Sequence, residues 1–344
     1  MEENSSHKRR PRYKGTHPKS FKEKYKEQDP DKYADDVKKI ISQGKTPAGM
    51  HRSIMVKEIM DFLKVKPGQT GMDATLGYGG HSAELLKALQ PNGKLFATDV
   101  DPIELPKTKA RLEAMGFAPE SINVRKMNFG NIDLIVNESG PLNFVLADLG
   151  VSSMQIDDPD RGFSFKTDGP LDLRLNPKTG ISAANFLKTV SQTQLEELLI
   201  ENSDEPYAEE ISGAICISLR KGKMIDTTAQ LKALIAATLQ GLPQDDIKKA
   251  CQRSFQALRI AVNDEFGVLE KFLDKLPDAL APGGRVAVLT FHSGEDRRVK
   301  KSFQKLFREG IYNEWSAEPV RPSADECHAN PRAKATKMRW AIKK

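Results

Sequence analysis

The sequence predicts an α/β fold of the Rossmann-like, doubly wound type, interrupted by an inserted all-helical domain. Strand-like apolar runs alternate with helical segments, and this alternation indicates a parallel sheet covered by helices on both faces. Between about residues 155 and 251 the alternation stops, and the apolar residues of each segment have helical spacing. The expected strands cover residues 71–75, 94–98, 123–127, 143–148 and, after the helical stretch, 285–291.

These boundaries divide the chain into three predicted parts. Residues 1–46 form a polar, basic and flexible amino-terminal arm. Residues 47–155 and 252–344 form one discontinuous α/β domain, and residues 156–251 form the helical insertion, to which we assign substrate recognition. A length of 344 residues fits about two domains.

Composition narrows the setting in which the protein works. No apolar run approaches the roughly 18 residues that span a membrane, and the amino terminus is too charged for a secretory signal. Cys216, Cys251 and Cys327 are odd in number, scattered and without CxxC spacing, which favours a reducing compartment and no zinc site. We therefore expect a cytoplasmic protein without membrane contact.

Basic residues are concentrated at the two ends of the chain. The net charge is +6, yet residues 1–46 hold 13 Lys and Arg against 8 Asp and Glu, and residues 297–344 hold 13 against 5. The middle of the chain is therefore acidic. Basic ends favour contact with a polyanion such as nucleic acid. Solubilising termini are the alternative, and for the arm we weigh the two interpretations equally.

A glycine loop follows the first expected strand. Gly77, Gly79 and Gly80 let the backbone approach a ligand closely, and a helix beginning near His81 points its amide donors at the same place. Ser82 stands where a dinucleotide fingerprint has its third glycine, so the loop does not match GxGxxG. This favours a nucleoside cofactor without a diphosphate, such as S-adenosylmethionine.

Two acidic residues compete to bind the ribose of that cofactor. Asp99 ends the second strand about 20 residues after the loop, the spacing at which a carboxylate holds ribose hydroxyls. Asp101 precedes Pro102, a pair typical of the start of a helix. We therefore assign Asp99 to the ribose and Asp101 to a helix cap.

Three further segments carry candidate chemistry. The strand ending at Asp148 delivers this carboxylate to the edge where parallel sheets bind ligands, although Asp148 could instead cap the next helix. After the last parallel strand, His292 could accept a proton and Arg297 could bind a phosphate, while a purely structural His292 is the alternative. The loop at 161–174 could form a lid or hold a base, or could be an internally hydrogen-bonded Ω-loop. Its charged candidates are Asp168, Asp172 and Arg174.

Taken together, these segments resemble the bacterial 16S ribosomal RNA cytosine-N4 methyltransferase family, known as RsmH or MraW. The resemblance covers about residues 51–340, in the order of the family. The matching stretches are residues 73–82, 148–157, 161–174, 254–265 (SFQALRIAVNDE), 283–300 and 330–339. The resemblance implies a Rossmann-like class I S-adenosylmethionine-dependent methyltransferase with a helical insertion, acting on a cytidine in the decoding region of the small ribosomal subunit.

Individual residues have expected roles, and among these the cofactor contacts are the ones that the resemblance implies. Asp148 would take part in catalysis, with His292 as a second candidate. Substrate contacts would involve the three charged residues of the 161–174 loop, together with Arg297 and Arg332. No metal is expected, and a homodimer is one assembly that the sequence leaves open. The cofactor contacts fall on Gly79, Gly80, His81, Asp99, Phe129, Asp148 and Gln155.

Several positions depart from the pattern of the family. Gly294 stands where Leu is usual, and Asp204-Glu205-Pro206 replaces Gly-Glu-Glu-Arg. A paralogue that methylates another nucleotide, and a non-catalytic RNA-binding or ribosome-assembly factor, therefore stay open as alternatives. A nicotinamide-dependent oxidoreductase is disfavoured by the imperfect glycine fingerprint. Carbon-5 methylation of cytosine needs a cysteine nucleophile, and no cysteine follows an expected parallel strand.

Overall fold

The computed structural model describes residues 53–344, so the predictions for the arm at 1–46 lie outside the described residues. A seven-stranded sheet has the order β3-β2-β1-β4-β5-β7-β6. The strands β1 to β5 run parallel to one another, and β7 lies between β5 and β6 and is antiparallel to both. The strands are β1 (Thr70–Asp73), β2 (Lys94–Asp99), β3 (Ile122–Lys126), β4 (Leu142–Asp148), β5 (Leu280–Thr290), β6 (Tyr312–Trp315) and β7 (Lys337–Lys343).

Helices connect the strands and cover the sheet. Those before and between the first four strands are α1 (Val56–Leu63), α2 (Gly80–Leu89), α3 (Glu104–Ala114) and α4 (Ile132–Ser139). The long connection from β4 to β5 holds α5 (Ser153–Asp157), α6 (Ala183–Thr189), α7 (Gln192–Ser203), α8 (Ala208–Arg220), α9 (Thr228–Thr238), α10 (Gln244–Asn263) and α11 (Glu265–Ala279). After β5 come α12 (Ser293–Arg308) and α13 (Ala324–Ala329).

Alternate residues of the central strands serve two separate cores. Val145 and Ala147 of β4 face a cluster that includes residues of α4, α11 and α12, whereas Phe144 and Leu146 face a second cluster with residues of α1 and α2. This period of two is what a strand buried on both faces requires. Each fully buried Leu or Phe contributes about 1.5–3 kcal/mol of burial free energy. The predicted Rossmann-like α/β fold is confirmed.

The connection between β4 and β5 has a core of its own. Buried apolar residues of α6 to α10 pack together in a cluster that runs from Leu171 to Leu258. The helix α10 continues through residue 251, where the sequence placed the end of the insertion, and reaches Asn263. The division at 156–251 stays a prediction.

The carboxyl ends of β1, β2, β4 and β5 lie at one edge of the sheet, because these strands are adjacent and parallel. Ligands of open α/β sheets bind at this edge. In residues 53–344 no helix is both long enough and apolar enough to cross a membrane.

Candidate active site

Acidic residues stand at the carboxyl edge of the sheet. Asp73 ends β1, Asp99 ends β2 and Asp148 ends β4. His81 lies in the first turn of α2, and His292 lies between β5 and α12. The predicted cofactor and catalytic residues on these elements therefore share one edge.

The glycine loop fixes the orientation of Asp99. Gly77 has a φ of +47°, and its N–H donates to Oδ2 of Asp99 at 2.8 Å. The N–H of Asp101 donates to the other carboxylate oxygen at 2.9 Å. Burial raises the pKa of Asp99 to about 6, although both amide bonds favour its ionised form. This half-buried, oriented carboxylate fits the hydroxyls of a ribose.

Gly79 has a packing role that the sequence did not reveal. It precedes α2 with a φ of +79°, and a Cβ placed there would lie 2.8 Å from Cγ2 of Thr108 in α3. Glycine is therefore required both by the backbone conformation and by the close approach of α3. The cofactor contacts assigned to Gly79 and Gly80 stay predictions.

Ser82, at the position of the missing third glycine, has a clear structural purpose. Its hydroxyl donates to Oδ2 of Asp73 at 2.6 Å, and the N–H of Thr75 donates to Oδ1 at 3.1 Å. Asp73 is buried, and this burial raises its pKa, while the Ser82 bond partly offsets the increase. The serine thus satisfies a buried carboxyl beneath the glycine loop.

Asp148 combines a positioned backbone with an unsatisfied side-chain oxygen. Its N–H donates to Oγ1 of Thr75 at 2.6 Å, and its Oδ2 lies 3.5 Å from Nδ1 of His81. Nε2 of His81 lies 2.9 Å from the carbonyl oxygen of Ile54, which can only accept a hydrogen bond. Oδ1 of Asp148 is buried and has no hydrogen-bond partner in the described residues. A buried acceptor of this kind requires a donor, and a bound ligand can supply one.

The surroundings of Asp148 also hold its pKa high. Burial raises this pKa to about 6; His81 favours the carboxylate, and the charges of Asp73 and Glu295 oppose it. A carboxyl that titrates near neutral pH suits a group that accepts hydrogen from a substrate.

His292 belongs to a buried charge cluster behind the sheet edge. Its Nε2 lies 3.0 Å from Oε1 of Glu295, and Oε2 of Glu295 accepts the N–H of Phe291 at 2.8 Å. Burial alone would raise the pKa of Glu295, but His292, this amide bond and Arg259 together hold it below its usual value. Arg259 is itself joined to Glu265 by two bonds of 2.8 Å. His292 is thus placed near the edge, and its catalytic role stays a prediction.

A second cluster of hydrogen-bonded polar side chains connects the carboxyl edge of the sheet to the loop at 161–174. One carboxylate oxygen of Asp101 accepts the N–H groups of Ile103 and Glu104, which is the helix-capping role expected from the sequence. The other oxygen accepts Arg161 at 2.9 Å and the side-chain amide of Gln155 at 2.7 Å. Gln155, predicted to contact the cofactor, is therefore bonded to Asp101.

The three charged candidates of the loop at 161–174 all have partners: Arg174 and Asp172 bond to each other, whereas Asp168 bonds outside the loop. Arg174 makes a bidentate pair with Asp172, at 2.8 and 2.6 Å. Asp168 is exposed and accepts the N–H of Ala229 at 3.0 Å, a bond that is the main reason for its lowered pKa. The Arg174–Asp172 pair lies within the loop and the Asp168 bond ties the loop to α9, so the loop is only partly bonded internally, and the substrate roles of the three residues stay predictions.

The other predicted contact residues lie at the surface or beside the core. Arg297 pairs with Asp204 at 3.1 Å, and Arg332 pairs with Asp157 at 3.1 Å. Phe129 follows β3 and makes an edge-to-face contact with Phe272, with ring centroids 5.2 Å apart. Its contact with the cofactor adenine stays a prediction.

The two departures from the family pattern have local explanations. Asp204 has a φ of +51°, a conformation that glycine adopts most easily, and its carboxylate accepts the hydroxyl of Ser293 at 2.9 Å. At Gly294 a Cβ would lie 2.6 Å from the ring of Phe266, so a leucine would require this ring to move. Arg298 stacks on that ring, with its guanidinium carbon 3.5 Å from the centroid.

Sequence reasoning missed several residues that shape the site. Arg161 and Glu295 are buried charges whose partners lie at the sheet edge. Both lie in stretches that matched the family pattern, and so does Arg259. Only Arg259 carried a local signal, as a single charge in the apolar run ALRIAV, whereas Arg161 and Glu295 have charged neighbours in the sequence that hide their burial.

The family model described as the MraW methylase family matches residues 48–344. "Ribosomal RNA small subunit methyltransferase H 1" of Lachnoclostridium phytofermentans is 64% identical over 341 residues, covering 98% of this chain and 93% of that protein. "Ribosomal RNA small subunit methyltransferase H 2" of Alkaliphilus metalliredigens is 63% identical over 339 residues, covering 97% of each. A protein of that same name from Acholeplasma laidlawii is 51% identical over 347 aligned positions, covering 100% of each.

These matches extend over both the sheet and the helical connection, and they agree with the geometry of the carboxyl edge. The chain therefore belongs to the MraW methylase family and is a methyltransferase that uses S-adenosylmethionine.

Proposed function

We propose that this protein methylates the exocyclic N4 amine of a cytidine in the decoding region of 16S ribosomal RNA. The observation that carries the proposal is the unsatisfied, buried Oδ1 of Asp148 at the edge that also presents Asp99. The names of the similar proteins support a substrate in the small ribosomal subunit. The identity of the target atom rests on the resemblance of the sequence motifs.

The residues at the edge fit the methyl donor. Asp99 would hold the ribose hydroxyls, with Phe129 beside the adenine and the glycine loop against the nucleoside. S-adenosylmethionine supplies an electrophilic methyl group on a sulfonium. In the transfer, the nitrogen lone pair forms the new N–C bond, the S–C pair stays on sulfur, and the amine then loses a proton. The protein mainly aligns the reacting atoms.

Asp148 would act directly on the amine. The lone pair of this nitrogen is delocalised into the cytosine ring, so the amine is a poor nucleophile. A carboxylate that accepts one of its hydrogens returns electron density to the nitrogen and can take the proton that leaves. The bond from the N–H of Asp148 to Oγ1 of Thr75, at 2.6 Å, would hold this residue in place. His292 is the second candidate to accept the proton.

The target base has to leave its stack to reach this edge, which suits a single-stranded loop better than a duplex. We assign the helical connection, predicted as residues 156–251, to recognition of the surrounding RNA. Arg297 and Arg332, which are themselves exposed, would exchange their acidic partners for phosphates, because ion pairs at the surface are weak. Asp168, Asp172 and Arg174 would hold the loop that closes over the base.

Mass mapping of modified nucleotides in 16S ribosomal RNA tests the proposal. We expect one cytidine of the decoding region to lose a methyl group when the protein is deleted. The methyl group should return with the wild-type protein and not with Asp148→Asn, which keeps the size of the side chain. An unchanged methylation map after deletion would contradict an enzymatic role on this RNA.

A paralogue that methylates another nucleotide is the second candidate. The departures at Asp204 and Gly294 favour it, as do the numbered names of the relatives at 51–64% identity, whereas those at 35–37% carry no number. The same methylation map distinguishes the two candidate functions, because a methyl group would then disappear from a different nucleotide.

The cytoplasmic location and the homodimer also stay predictions. The mass of the purified protein in solution tests whether it is a homodimer.

A further inference from the structure

The helix α12 presents an unusual row of cations to solvent. Arg297, Lys301, Lys305 and Arg308 recur at intervals of three and four residues, so they share one face and span about 16 Å of helix. All four are exposed. The opposite face, with Glu295, Val299 and Phe303, is buried. We call the row of four the basic ridge.

The ridge lacks the acidic residues that accompany lysines elsewhere on this protein. Several other surface helices pair a lysine with an acid three or four residues away, as in Lys57–Asp61, Lys87–Glu84, Lys107–Glu104 and Lys249–Asp246. Within the described part of the chain, Lys301, Lys305 and Arg308 have no ion pair, and Arg297 has only exposed Asp204. Both acids of α12, Glu295 and Asp296, are buried in its first turn.

The repulsion along this row is unfavourable if the row serves only to solubilise the helix, although the helix dipole favours Lys305 and Arg308 in the last turn. Like charges four residues apart repel one another and destabilise a helix. A polyanion would remove the repulsion, because its phosphates would lie between the cations. The ridge also begins at the candidate active site: α12 starts one residue after His292, at the carboxyl edge of the sheet.

We propose that the basic ridge binds the phosphate backbone of the substrate RNA and guides the strand away from the methylation site. This inference rests on the proposed function and adds to it an RNA-binding surface that continues along α12 from Arg297 to Arg308. The ridge is long enough for several phosphates of one strand. It carries no base-reading geometry, so it would contribute affinity and orientation without sequence specificity.

An aromatic surface lies at the distal end of the ridge. Phe307 is 43% exposed, and its ring lies 6.4 Å from that of Trp315 in β6. Phe307 directly precedes Arg308 in the sequence, and an exposed aromatic ring at the end of a basic surface is a suitable platform for an unpaired base. We assign Phe307 to stacking at the end of the same strand.

The test measures RNA affinity against salt concentration for the full-length protein, with a 16S ribosomal RNA fragment that contains the decoding region. Lys301→Gln/Lys305→Gln should lower the slope of log Kd against log salt by about 1.5, since each lost phosphate contact removes roughly 0.7–0.9. The matched control is Lys64→Gln/Lys66→Gln, which removes two exposed lysines just before β1, at the opposite edge of the sheet. We expect the control to keep the wild-type slope.

Two further measurements make the result specific. Phe307→Ala should weaken binding while leaving the salt slope unchanged, because stacking releases no counterions. The melting temperature of the double lysine variant should change little, because the relief of repulsion within α12 and the loss of the favourable dipole interaction of Lys305 oppose each other. A lower melting temperature with an unchanged salt slope would show that the lysines are structural and overturn the proposal.

The outcomes separate this inference from the proposed function. A wild-type protein that does not bind the RNA would contradict both. Normal RNA binding with equal slopes for the ridge and control variants would overturn the ridge alone. Vesicles that contain anionic lipid are the comparison ligand. If the double lysine variant lost binding to these vesicles but kept its binding to RNA, the ridge proposal would also be overturned.

Discussion

At the scale of single residues, the pKa of Asp148 leads to a prediction about pH. Its carboxyl titrates near pH 6, and accepting a hydrogen from the amine requires the ionised form. We therefore expect kcat for methyl transfer to rise as the pH increases from about 5 to 7 and then to level off. Asp148→Asn should lower kcat by about 100-fold or more and remove this rise. Rates measured under single-turnover conditions would report the chemical step.

Asp99 provides the control for that profile, because burial raises its pKa to about 6 as well. Its ionisation should strengthen binding of S-adenosylmethionine if, as we propose, the carboxylate accepts the ribose hydroxyls. Asp99→Asn should therefore weaken cofactor binding and leave the pH profile of kcat intact at saturating cofactor. A profile of kcat that still rises through pH 6 in Asp148→Asn would assign the titration to another group.

At the scale of elements, the buried pair of Arg161 and Asp101 connects the 161–174 loop to the end of β2. Arg161 is 6% exposed and Asp101 1%, and Arg161 also donates to the carbonyl of Leu175 at 2.8 Å. Arg161→Leu would leave the Asp101 carboxylate buried without a cation, which costs about 3–5 kcal/mol. We expect the free energy of unfolding, measured by urea titration, to fall by this amount.

Arg332→Leu is the matched control for Arg161→Leu. This variant breaks the ion pair with Asp157, in which the Arg332 side chain is 40% exposed and the Asp157 side chain 22%. The loss in the free energy of unfolding should therefore be below about 1 kcal/mol. Adding Asp101→Asn to Arg161→Leu should recover part of the stability, because the uncompensated charge is then absent. Equal losses in the free energy of unfolding for Arg161→Leu and Arg332→Leu would show that the buried Arg161–Asp101 pair contributes no more stability than an ion pair at the surface.

The elements also show how far local sequence predicts this fold. The five parallel strands were found from apolar runs, and Asp99 and Asp148 from their position after two of them. β7 was missed because KMRWAIK is charged and its place between β5 and β6 depends on long-range pairing. The bond from Gln155 to Asp101 joins residues 54 positions apart, so no local pattern could reveal it. The packing of Thr108 against Gly79 was hidden for the same reason.

At the scale of the whole molecule, cofactor binding should be visible as thermal stabilisation. A ligand that binds only the folded state adds about 2.7 kcal/mol to the free energy of unfolding at 100 times its Kd. S-adenosylmethionine should therefore raise the melting temperature of the wild-type protein. NAD should not, because Ser82 bonds to Asp73 where a dinucleotide loop has its third glycine.

Two variants locate this stabilisation within the molecule. Asp99→Asn should abolish most of the shift with S-adenosylmethionine, whereas Asp172→Asn in the 161–174 loop should keep it, since Asp172 pairs with Arg174. Each variant is compared with its own melting temperature without ligand, which removes any direct effect of the substitution on stability. The proposed ribose site needs Asp99 at the end of β2 and the glycine loop after β1 to be folded together, so the shift reports the intact carboxyl edge. A full shift in Asp99→Asn would place the ribose elsewhere and would require another acceptor for its hydroxyls.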